Sequence, residues 1–84
     1  MIVFLTNDER QYLVGSDFID KRIADILTSA SKENGVAKVD IQDDLVDHLF
    51  EKLEDRLQIA GFDGNYKLTK EGAIIECLID KLNP

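Results

Sequence analysis

The chain has 84 residues, enough for one small domain spanning 1–84. Hydrophobic residues make up 44% and charged residues 32%, a balance that suits a folded globule and argues against intrinsic disorder. A formal net charge of −7 disfavours nucleic-acid backbones and anionic membranes as partners, and no apolar stretch approaches the ~20 residues of a membrane span.

Cys77 is the only cysteine, so no intramolecular disulfide is available. The apolar run Met1 to Leu5 is too short for a signal peptide and lacks a basic leader. A cytoplasmic location is the simplest expectation. With no Trp and only six aromatic residues, the core must be built mainly from Ile, Leu and Val.

Taken in chain order, Ile2-Val3-Phe4-Leu5 reads as an edge strand or an extended arm over the core. Thr6 is suited to cap a short helix from Asn7 to about Val14, ended by Gly15. Ser16 then opens a second helix, with Asp17 and Asp20 near its positive end. Its inward residues would be Ile19, Ile23, Ile26, Leu27 and Ala30, and Asn34-Gly35 would stop it. Ala37, Val39 and Ile41 alternate with Lys38 and Asp40, which predicts an extended connector able to pair with the N-terminal run.

A third helix is expected from about Ile41 to Ala60, with Asp40 as its cap. Ile41, Leu45, Leu49, Leu53 and Leu57 recur every four residues, and Val46, Phe50 and Ala60 widen the stripe. Gly61 fits a left-handed helix end, with Phe62 folding back on it. Asp63-Gly64-Asn65 is a turn and Tyr66-Lys67-Leu68 a short extended piece. Thr69 caps a final helix from Lys70 to about Leu82, with Ile74, Ile75, Leu78, Ile79 and Leu82 inward. The predicted class is therefore mainly α. It is a compact bundle of three to four helices, with room for a short β pairing of the N-terminal run with residues 36–41 or 66–68.

The third helix carries an unusual charge pattern. On a wheel at about 100° per residue, its apolar positions fill about half the circle. Asp40, Asp43, Asp44, Asp47, Glu51, Glu54 and Asp55 share the other side. The cations Lys52 and Arg56 fall outside the acidic arc. Residues 36–61 hold a net charge of −4, against −2 for 1–35 and −1 for 62–84. Like charges one turn apart, such as Asp43–Asp47 and Asp47–Glu51, cost a few tenths of a kcal/mol each. A solvated helix avoids that cost by mixing signs. The bland explanation is a solubilising surface; the functional one is a docking face for a basic protein partner, made of Asp43, Asp44, Asp47, Glu51, Glu54 and Asp55.

Other constellations fall short of a chemical site. His48 lies one turn from Asp44 and near Glu51, which is metal-ligand spacing, but there is no second histidine to complete a bundle site. Cys77 sits on the flank of the last helix beside Glu76 and Asp80, which oppose a thiolate, so a half-buried structural thiol is expected. Asp63-Gly64-Asn65 lacks the twelve-residue ligand pattern of a calcium loop. No catalytic residue, metal or cofactor is assigned.

Tyr66-Lys67-Leu68-Thr69-Lys70-Glu71-Gly72 resembles the strand-to-helix step after the wing of MarR-like winged-helix regulators. The resemblance covers seven residues. It implies a DNA-binding regulator, but the helix before this segment is acidic where such a reader is basic, so no DNA contact is assigned. Three functions are thus open. The first is a small acidic module masking a basic surface of a partner, as inhibitors, immunity or antitoxin-like factors and phage-encoded modulators do. The second is a self-associating assembly component, including a homodimer. The third is a winged-helix regulator.

Overall fold

The computed structural model describes residues 1–83. Its elements in chain order are β1 (Ile2–Thr6), α1 (Asn7–Gly15), α2 (Lys21–Thr28), β2 (Ser31–Glu33), β3 (Val36–Asp40), α3 (Asp43–Ala60) and α4 (Lys70–Leu82). Four helices thus accompany a small antiparallel sheet of strand order β1-β3-β2.

The N-terminal run and the alternating segment do pair. β1 runs antiparallel to β3 from Ile2↔Asp40 to Thr6↔Val36. The alternation puts Val3, Leu5, Ala37 and Val39 on the core face, while Ile2 and Phe4 stay exposed on the other. Thr6 ends the strand and caps α1: its hydroxyl accepts from the Glu9 N–H, and Glu9 reaches back to the Thr6 N–H at 2.8 Å. The same Glu9 oxygen accepts a bond from Lys81 of α4. Glu9 is only 5% exposed, so this lysine compensates a buried charge while pinning α4 to α1.

The second expected helix is shorter than its apolar spacing predicts. It starts at Lys21, capped by Asp20, whose carboxylate also holds the Arg22 side chain at 3.1 Å. It ends at Thr28. Asn34-Gly35 does not stop a helix: it is the two-residue turn of a β2–β3 hairpin, with φ of 54° and 79°. Two successive positive φ values match the right-handed twist of paired strands, and Asn-Gly supplies them at least cost.

Two details of α3 also differ from expectation. Its cap is Gln42, because Asp40 belongs to β3. Gly61 closes it in a right-handed conformation, φ −77°. Space is tight at both glycines of this junction: a Cβ on Gly61 would overlap the Leu57 carbonyl oxygen, and one on Gly72 would overlap the Gly61 carbonyl oxygen and come within 2.8 Å of the Leu68 side chain. Thr69 secures this junction. Its hydroxyl donates to the Ala60 carbonyl and accepts from the Gly72 N–H, while its own N–H bonds the Gly61 carbonyl at 2.8 Å.

One apolar core runs through the molecule. Leu13, Ile23, Leu27, Leu53, Ile75 and Leu78 are fully buried in it, and Phe18, Ile26 and Phe50 pack around its rim. α1, α2 and α4 cover the inner face of the sheet, whereas α3 packs chiefly on α4. α3 is therefore an outer layer with one side buried.

The Gly72 contact gives a sign test. In an open helix, glycine-to-alanine would add up to about 1 kcal/mol of stability. Gly72→Ala is expected instead to lower it by about 1–3 kcal/mol through overpacking. A lower urea midpoint at unchanged slope checks this.

Candidate functional site

Burying Leu45, Val46, Leu49 and Leu53 against the core turns the opposite side of α3 to water. Asp43, Asp44, Asp47, Glu51, Glu54 and Asp55 are all exposed there. Asp43 lies 3.7 Å from the Met1 amino group, and Asp40 lies 3.5 Å from it. Among the described residues, Asp44, Asp47, Glu51, Glu54 and Asp55 have no Lys or Arg within ion-pair distance.

The cations of α3 serve elsewhere. Arg56 turns to α4, where its Nε donates to Glu71 at 2.8 Å. The Tyr12 hydroxyl of α1 donates to the same carboxylate. Lys52 is exposed and forms no ion pair among the described residues. The acidic side thus keeps most of its charge, although Arg22 of α2 lies near enough to Asp44 to feel it. His48 is half-buried, and among the described residues no three His, Cys, Asp or Glu side chains gather into a metal-holding group. Cys77, expected to be half-buried, is exposed, since its place on α4 faces away from the packed stripe.

At its C-terminal end the acidic face meets an apolar one that the sequence reading missed. Ile59 is 76% exposed and follows Asp55 by one turn. Just beyond it, Phe62 and Leu68 form an isolated antiparallel bridge with both side chains about half exposed. Between them a tight loop is closed by Asp63, whose carboxylate accepts from the Asn65 and Lys67 N–H groups. The loop presents Tyr66 at 90% exposure with φ 61°. A left-handed aromatic residue costs about 1–2 kcal/mol, a strain borne here for a ring that contributes almost no burial. The only local signal was Asp-Gly-Asn ahead of a tyrosine.

The Tyr12–Glu71–Arg56 cluster joins three helices beside an open hollow of about 670 Å³. Bonds from Arg56 and then Tyr12 hold the Glu71 carboxyl below its ordinary value, against an opposing push from burial. Burial, followed by Glu71, pushes the Tyr12 phenol up. Both carboxylate oxygens of Glu71 are engaged, which ties the three helices together. Comparison with protein-family models, with curated proteins and with solved structures gives no significant match.

The depressed Glu71 carboxyl contributes stability above its ordinary value of 4.5 and loses it as pH falls through the folded value. Glu71→Gln is therefore expected to be less stable than wild type at about pH 7, and the gap to close as pH drops below about 4. Urea midpoints across that range measure it. Tyr12→Phe, which removes one hydroxyl bond, is expected to cost about 1 kcal/mol.

Proposed function

We propose that this chain is a protein-binding module whose α3 face docks on a basic surface of a partner protein and masks it. That is the action of an inhibitor, an immunity or antitoxin-like factor, or a phage-encoded modulator. The carrying observation is the set Asp44, Asp47, Glu51, Glu54 and Asp55, exposed on the outermost helix and, among the described residues, without a Lys or Arg in ion-pair distance. Such a face raises the encounter rate with a cationic surface and rejects acidic partners.

Charge alone gives modest affinity. The adjoining Ile59, Phe62 and Tyr66 supply what a charged face lacks: aromatic and aliphatic anchors that bury area. The partner surface that fits is cationic, with an apolar recess at one end.

A DNA-binding reading draws nothing from this face, because its carboxylates repel phosphates. Self-association has one observation in its favour: Ile2 and Phe4 stand exposed on β1, which is an edge strand. Sedimentation over a wide concentration range tests it. A dimer that Phe4→Lys dissociates supports it, and a monomer throughout removes it.

The docking proposal is tested by capturing partners with the whole chain at low salt and titrating them. Reversing Asp43, Asp47 and Glu51 to Lys is expected to weaken binding by at least about tenfold and flatten its salt dependence. Tyr66→Ala is expected to speed dissociation while leaving the salt dependence in place. Equal binding by the charge-reversed and wild-type chains overturns the proposal.

A further inference from the structure

The hollow between the start of α1 and the β2–β3 hairpin has the opposite electrostatic character. About 330 Å³ in volume, it is lined by Asn7, Arg10, Lys32, Gly35 and Ala37. Among the described residues, two cations and no carboxylate form its walls, in a chain of net charge −7. Each of four other hollows on the surface includes at least one carboxylate.

The strand register explains how Lys32 arrives there. It lies opposite Ala37, whose side chain is on the buried face, so Lys32 leaves the hairpin on the side of α1. Its neighbour Glu33 lies opposite Val36 and leaves on the other side. The acids of α1 are also turned away. Glu9 is occupied by Thr6 and Lys81, and Asp8 lines a separate hollow with Tyr12 and Lys70.

Neither Arg10 nor Lys32 forms an ion pair among the described residues. Among the described residues, the Nε of Arg10 is buried with no hydrogen-bond partner. An arginine held partly out of water without an acceptor is uncommon, since guanidinium donors are ordinarily all satisfied by protein or solvent. Asn7, the first residue of α1, adds an amide donor at the positive end of the helix.

We infer that this cleft binds a small oxyanion, a phosphoryl group held between Arg10 and Lys32 with Asn7 as a further donor. Arginine supplies a forked contact to two oxygens and lysine a point charge, a pairing that fits a tetrahedral anion. The cleft lies at the small end of ligand-binding volumes, so it takes one phosphoryl group with little more than its immediate substituent. The acidic remainder of the chain opposes anions at long range, which lowers the affinity of the cleft.

The test is an amide and arginine side-chain NMR titration of the whole chain at about pH 7, where a phosphate group carries between one and two negative charges. One arm uses inorganic phosphate, a second uses adenosine monophosphate, and sodium chloride at matched ionic strength is the blank. Saturable shifts at Asn7, Lys32, Gly35 and the Arg10 Nε–H are expected. Lys32→Gln, a change at an exposed strand position, is expected to weaken binding about tenfold, and Lys52→Gln to leave it unchanged. Tighter binding of the nucleotide assigns the group to an organic phosphate, and equal binding assigns it to the phosphoryl group alone. Shifts that do not saturate, that sodium chloride reproduces, or that survive Lys32→Gln undiminished overturn the inference.

Discussion

The one-sided attachment of α3 governs this structure. Its Leu45, Leu49 and Leu53 stripe belongs to the same core as Ile75 and Leu78 of α4, and no other element packs on it to a comparable extent. Each fully buried leucine contributes about 1.5–3 kcal/mol, which suffices to hold an outer helix provided α4 can come close. Closeness depends on Gly72 meeting the Gly61 carbonyl and on the Thr69 hydroxyl bonding both helices. From that geometry the rest follows: what α3 does not turn to α4, it turns to water.

Charge is then sorted by the fold. Several cations are spent internally, Arg56 on Glu71, Lys81 on Glu9 and Arg22 on Asp20. These bonds join elements or cap them, and they remove positive charge from the surface field. Among the described residues, the carboxylates of α3 have no partner in ion-pair distance beyond the Met1 amino group near Asp43. An acidic face on α3 and a small cationic cleft at Arg10 and Lys32 therefore coexist in one small chain.

Much of this was legible where the information is local. Thr6 and Thr69 announced helix starts because a hydroxyl followed by helical spacing has one efficient use there. The acidic arc needed only helical periodicity. The alternation Ala37-Lys38-Val39-Asp40 gave the pairing with β1. β2 was invisible, because Ser31-Lys32-Glu33 has no apolar residue and the strand exists through the Asn34-Gly35 turn and the register that turn imposes. Helical spacing through Ile26 and Ala30 then carried the second helix too far. The Tyr12–Glu71–Arg56 tie spans up to 59 positions in sequence, and the exposed Tyr66 depends on a loop closed by Asp63, so neither leaves a periodic trace.

The role proposed for the α3 carboxylates is attraction of a cationic partner. The most direct measurement is the association rate constant with a captured partner as a function of ionic strength. The account predicts a fall of about tenfold or more between about 0.01 and 0.15 M salt, with the dissociation rate nearly constant. An association rate that stays flat or rises over that range would contradict it.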